Sequence, residues 1–92
     1  MKVDRFEVTK KFEKAFAKLA GREQARVKVA LAQATVDLGD ASLRQHTLKG
    51  TRAGTVSLNA GGDLRILCRI YEEDGRTIAL LLLVGTHSQL YG

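Results

Sequence analysis

Two histidines, His46 and His87, are the only side chains in this sequence whose ordinary titration falls near neutral pH. Each falls in a segment that reads as irregular and off any apolar stripe, which argues against a core role. A positioned imidazole gives or takes a proton in a transition state, a step worth about 10²- to 10⁴-fold in rate. Arg65 supplies a different chemistry, because a guanidinium stays charged and can make paired hydrogen bonds to two oxygens of a phosphate. Asp63, two residues before it, either accepts a ring hydrogen bond that holds an imidazole in one tautomer or simply caps a turn. No cysteine or carboxylate cluster at ligand spacing accompanies the histidines, so no metal and no cofactor is expected. The single cysteine, Cys68, lies inside an apolar alternation and reads as a packed thiol.

These groups can meet only if the elements between them form a sheet. Residues 3–8 make a short strand, and Thr9 offers a side-chain oxygen to cap a helix that begins near Lys10. Phe12, Phe16 and Leu19 recur on one stripe of that helix, Lys10, Lys14 and Lys18 line another, and Gly21 is expected to end it. From Arg22 to about Leu38 the helical spacing returns in Val27, Leu31, Ala34 and Leu38, with Gly39 as a left-handed stop. After an irregular stretch from Asp40 to Arg52 the period becomes strand-like. Val56 and Leu58 alternate with polar residues, Ala60-Gly61-Gly62 turns the chain, and Leu64, Ile66, Cys68 and Ile70 alternate in the next strand. Glu73-Asp74-Gly75 turns it again, and Ile78 to Val84 is apolar at every position, as suits a strand covered on both faces. The expected fold is α+β and a single domain over residues 1–92. It has an N-terminal strand, a two-helix hairpin and a three-stranded antiparallel meander, with the helices packed on one face of one antiparallel sheet.

In such a sheet a turn centred on Asp74 places Asp63 across from Gly85 and brings His87 near Gly61-Gly62. The first hairpin places Arg65 near Ser57 and Asp63 near Asn59, with Arg65 and Arg69 on the face away from the helices. Asp63, Arg65 and His87 therefore converge at one end of the sheet.

The chain carries 15 Lys and Arg against 10 Asp and Glu, a net charge of +5 that favours polyanionic partners, nucleic acid first among them. Lys10, Lys11, Lys14, Lys18, Arg22 and Arg26 make either a phosphate-binding surface along the helices or a solvated face, and Lys49 and Arg52 add charge beside His46. The longest apolar run is far too short to span a bilayer, and no leader pattern opens the chain, so a cytoplasmic protein with no membrane partner is expected.

The ending Gly85-Thr86-His87-Ser88-Gln89-Leu90-Tyr91-Gly92 resembles the Gly-Thr-His-x-x-Leu-aromatic-Gly ending of YafQ-type toxins in the RelE/ParE superfamily. His46-x-Leu48-x-Gly50 is similar to a second segment of that family, and Gly62-Asp63-Leu64-Arg65 resembles its Gly-Asp-x-Arg strand. The chain departs from the pattern at Leu64, where an aromatic residue is common, and at Asn59, near which a further histidine is expected. The resemblance implies a toxin of a type II toxin–antitoxin pair that cuts mRNA in the ribosomal A site without a metal. It implies two partners beside mRNA, namely ribosomal RNA and a cognate antitoxin. The matching positions are His46, Asp63, His87 and the aromatic Tyr91, while Arg65 matches the RelE-type arginine.

Metal-free RNA cleavage needs a 2′-hydroxyl deprotonated, the charge on the attacked phosphate stabilised and the leaving 5′-oxygen protonated. His87 is assigned as general acid or base and Arg65 to the phosphate. His46 shares proton transfer or touches the phosphate. Asp63 orients His87 or caps the turn. Tyr91 stacks on a base or folds back on the core. Lys49, Arg52 and Arg69 are expected to hold substrate, and the six helical cations to grip ribosomal RNA. Two alternatives remain: a ParE-type inhibitor of DNA gyrase, against which the paired histidines speak, and a non-enzymatic RNA- or ribosome-binding module, which would tolerate loss of His87.

Overall fold

A computed structural model describes residues 1–91. Its elements are β1 (Arg5–Val8), α1 (Lys10–Ala17), α2 (Gly21–Val36), β2 (His46–Thr47), β3 (Val56–Asn59), β4 (Leu64–Glu73), β5 (Arg76–Thr86) and α3 (His87–Tyr91). Two single 3₁₀ turns, Ala41–Leu43 and Gly50–Arg52, flank β2. The α+β class, the helical pair and the β3–β4–β5 meander follow the sequence pattern, and the sheet is larger than expected. Its order is β1-β5-β4-β3-β2, with β1 parallel to β5 and every other pair antiparallel, so the sheet is mixed rather than wholly antiparallel.

The helix boundaries differ from the sequence reading for identifiable reasons. Thr9 does cap α1, accepting from the Phe12 N–H at 3.1 Å. The helix ends at Ala17, however, and Gly21 opens α2 instead of closing α1, because Ala20 is extended and its N–H donates to the Glu23 carboxylate at 3.1 Å. At the other end Gly39 is not left-handed. Extended Asp37 stops α2, and its carboxylate accepts from the Gly39 N–H at 2.9 Å, an Asx turn that ends the helix without a positive φ.

Both helices pack on one face of the sheet. Phe12, Val27, Ala30, Ala34 and Leu38 meet Val56, Leu58, Leu64, Ile66, Cys68, Ala79, Leu81 and Val84 in one core, with Phe16, Leu19 and Leu31 half-buried against it. Cys68 is enclosed there, and burial pushes its thiol up to about 12, so it is an inert packed group. On the opposite face Leu67 and Ile78 are also buried, which explains the unbroken apolar run of β5. The Tyr71 hydroxyl donates to Glu7 from across β5, and Arg5 bridges Glu7 and Glu73 at 3.1 Å each.

Two features set the register. The β4–β5 turn is a two-residue Asp74-Gly75 turn with both φ angles positive (52° and 75°), the form that matches strand twist. Between Leu67↔Leu83 and Cys68↔Leu81 the pairing slips by one, leaving Leu82 as a bulge. Thr9 fixes that bulge, its hydroxyl lying 2.9 Å from the Leu81 carbonyl and 3.2 Å from that of Leu82.

Two predictions follow the packing. Ile66 is fully buried, so Ile66→Val should cost about 1 kcal/mol and Ile66→Ala about 2–5 kcal/mol in urea unfolding; a cost for the alanine variant under ~1 kcal/mol would contradict the assigned core. Glu7 is held below the usual carboxylate range, first by the Tyr71 hydroxyl and then by Arg5, and its contribution is present above that range and lost as pH falls through the lowered value. Tyr71→Phe should therefore move the Glu7 carboxyl titration upward in a carbon-detected NMR experiment, and an unmoved titration would show the bond to be absent.

Candidate active site

The meander brings the expected residues to one end of the sheet, in a register different from the one read off the turns. Arg65 lies across from Asn59 on β3 and Gly85 on β5, not near Ser57, because the first turn is centred on Gly62, one residue later than Gly61. Asp63 meets His87 rather than Gly85. Centring the second turn between Asp74 and Gly75 moves the register by one residue, and the Leu82 bulge moves it by another. The contact is between main chains, the His87 N–H donating to the Asp63 carbonyl at 3.0 Å. Among the described residues the exposed Asp63 carboxylate makes no hydrogen bond, so Asp63 positions His87 through its backbone.

Neither histidine lies in irregular chain. His87 begins α3, exposed, with its ring stacked obliquely on Tyr91 at a centroid distance of 4.5 Å. Tyr91 reaches back, its hydroxyl 3.4 Å from Ser57 Oγ, so the ring neither leaves for solvent nor enters the core. Gly92, the last residue of the C-terminal motif, lies outside the described residues. Ser57 is fully buried and pairs with both His46 on β2 and Leu67 on β4. Ser57 and Tyr91 thus link the neighbourhoods of the two histidines. His46 Nδ1 lies 2.9 Å from the Arg44 carbonyl. A carbonyl only accepts, so Nδ1 carries a proton and the neutral ring presents Nε2 with a lone pair.

Arg65 is anchored by one edge. Nη1 donates to Asn59 Oδ1 at 2.7 Å and to the carbonyls of Gly62 and Leu64 at 2.9 and 3.0 Å, and among the described residues neither Nη2 nor Nε has a partner. Asn59 in turn donates to the Ser42 carbonyl at 3.2 Å. In the sequence Asn59 stands out as a departure from the family pattern and as the neighbour expected for Asp63; in the structure it is the residue that orients Arg65.

The cations divide into groups. Lys11, Lys14 and Lys18 line a cleft of about 410 Å³ together with Glu23, Arg52, Thr86, Gln89 and Leu90, which places two lysines of α1 and its C-cap lysine beside α3. Arg26 borders a separate groove at Gly61, and Lys10 and Arg22 are exposed on the helices and line neither. Arg52, expected to bind substrate, donates through Nη2 to the Leu90 carbonyl at 3.1 Å and so holds α3. Lys49 and Arg69 are exposed. Among the described residues no three His, Cys, Asp or Glu side chains gather as a metal site, and no helix is long and apolar enough to cross a membrane.

Element order, mixed sheet and helical pair together are the fold of the RelE/ParE toxins, as the sequence resemblance anticipated. Similar solved structures include a YoeB/ParE toxin from Agrobacterium tumefaciens, 16% identical, covering 95% of this chain and 99% of that one with a TM-score of 0.72. They also include the E. coli DinJ–YafQ toxin–antitoxin complex, at 20% identity, full coverage of both chains and a TM-score of 0.68. The RelBE2 toxin–antitoxin complex of Mycobacterium tuberculosis is similar at 26% identity over 90% of this chain and 96% of that one, with a TM-score of 0.67. No family model matches the sequence, and no curated protein matches it.

The Asn59–Arg65 pair is testable without any activity. Asn59→Ala and Arg65→Ala should each destabilise by about 1 kcal/mol in urea unfolding, with the double variant short of the sum by ~0.5 kcal/mol or more. Strict additivity would mean that the two side chains do not act together.

Proposed function

We propose that the protein is the toxin of a type II toxin–antitoxin pair and a metal-independent, ribosome-dependent mRNA endoribonuclease acting in the cytoplasm. The observation that carries this reading is the placing of His87, stacked on Tyr91, at the same end of the sheet as Arg65, whose Nη2 and Nε edge is open. That combination supplies a proton carrier and a fixed cation for a phosphodiester, with exposed lysines in the adjoining cleft.

His46 presents Nε2 as an acceptor and fits removal of the 2′-hydroxyl proton; His87 then protonates the departing 5′-oxygen. Arg65 stabilises charge on the attacked phosphate through its open edge. Tyr91 offers a half-open ring on which a base can stack, Lys49 and Arg69 bind the strand, and Asp63 and Arg52 act by holding α3. Lys11, Lys14 and Lys18 grip ribosomal RNA beside the site, with Lys10, Arg22 and Arg26 extending the basic surface. Two of the structures with this fold are toxin–antitoxin complexes, which supports a cognate antitoxin as a further partner.

Mapping of new mRNA 5′ ends after brief induction tests the reading. The wild-type chain should produce cuts within translated codons, and His87→Ala should lower them by about 10²-fold or more. Growth arrest without new ends would favour a gyrase inhibitor, and cuts that persist undiminished in the variant would remove His87 from the chemistry.

A further inference from the structure

A helix of five residues, α3 cannot sustain itself, since nucleating a turn costs more than its few hydrogen bonds return. His87 is its first residue, and among the described residues no side-chain hydrogen bond fixes the imidazole; its place is set by the helix backbone and by Tyr91. What holds the helix therefore holds His87.

Two side chains clamp it. At the start, Thr86 and Gln89 form a reciprocal cap: the Gln89 N–H donates to Thr86 Oγ1 at 3.3 Å, and the Thr86 N–H donates to Gln89 Oε1 at 2.8 Å. At the end, Arg52 donates to the Leu90 carbonyl at 3.1 Å, satisfying one of the carbonyls that a helix leaves open. The Gln89 side chain can fold back only because residue 85 has no side chain. A Cβ built on Gly85 would lie 2.8 Å from Gln89 Oε1, closer than real Cβ atoms come. Gly85 is buried and its φ is not positive, so the requirement is for space and not for conformation.

We propose that Gln89 is a positioning residue for His87, that Gly85 is the floor admitting its side chain, and that Arg52 is the second clamp. This rests on the reading of His87 as a proton carrier of the nuclease. Gln89 touches no reacting atom in this scheme. Without it α3 frays and His87 samples a wider range, while the lysines that would bind the ribosome stay where they are.

The test is single-turnover and steady-state cleavage of mRNA on programmed ribosomes by the full chain. Gln89→Ala should lower kcat on the order of tenfold with KM unchanged, because misplacement of a reacting group acts on the chemical step. Gln89→Glu keeps an acceptor for the Thr86 N–H and should recover most of the loss. Gly85→Ala should reproduce the defect, and the double variant Gly85→Ala/Gln89→Ala should be no worse than the poorer single one, since both changes break the same contact. Wild-type kcat in Gln89→Ala, a rise in KM alone, or multiplicative losses in the double variant would overturn the proposal. A second readout does not depend on activity: the imidazole proton shifts of His87, displaced by the Tyr91 ring, should move toward free-histidine values in Gln89→Ala. Unmoved shifts overturn the proposal whatever the kinetics. An inert wild-type chain overturns the nuclease reading instead, and the ring shifts then decide alone whether Gln89 holds His87.

Discussion

The pairing of β4 with β5 decides where every candidate group stands. In an antiparallel ladder side chains alternate between faces, so a slip of one residue exchanges what is buried for what is exposed. Here the Leu82 bulge introduces one such slip midway along β5. Before it, Ala79 and Leu81 face the helices; after it, Val84 does, and Gly85 comes opposite Arg65 on the far side. An unbulged strand would turn Val84 outward and drive residue 85 into the core. Thr9 ties this irregularity to the rest of the protein. One hydroxyl caps α1 and reaches the two carbonyls at the bulge, so the helix start and the strand kink are set by the same side chain.

This explains how much could be read in the sequence. The alternation of Leu64, Ile66, Cys68 and Ile70 announced β4 and its inner face correctly, because that strand carries no bulge. Phe12, Val27, Ala34 and Leu38 were legible as core for the same reason, a clean period. The register across from β4 was not, since a bulge inside a run of leucines leaves no compositional mark, and all of Leu80, Leu81, Leu82 and Leu83 fit either face. The helix ends are not marked by glycine, although glycine is what the sequence offers as a stop. Asp37 stops α2 by accepting from the Gly39 N–H, and Glu23 caps the start of α2 by accepting from the Ala20 N–H, so that Gly21 opens a helix and Gly39 closes an Asx turn. At the candidate site the sequence displays the residue types and not the contacts that join them. His46, His87, Arg65 and Tyr91 announced themselves by type. Ser57 matters through Tyr91, which is remote in sequence, and Asn59 through Arg65, whose place opposite it depends on the turn register, whereas Thr86-x-x-Gln89 is a capping pattern visible in the sequence.

The charge distribution gives the molecule a polarity. The β4–β5 turn end carries Glu72, Glu73 and Asp74 against Arg76, and Glu7 joins it through Arg5 and Tyr71, which leaves carboxylates in excess there. The opposite end carries His87, Arg65, Arg52 and the α1 lysines around the adjoining cleft. A polyanion approaching such a body is repelled at one end and drawn in at the other, so the summed field favours encounters that present the α3 end first.

The parallel partnership of β1 with β5 bears on the order in which the protein can be completed. A chain made from its N-terminus exposes β1 early, yet the strand that must receive it begins only at Arg76 and ends where α3 starts. Until that last segment emerges, β1 has no partner and the inner faces of α1 and α2 have only part of their floor. Joining segments so distant in sequence is entropically costly and comes late in folding. The strand that closes the sheet and the helix that bears His87 thus arrive together, and a nascent chain stalled short of them holds most of the helical surface with none of the assembled site.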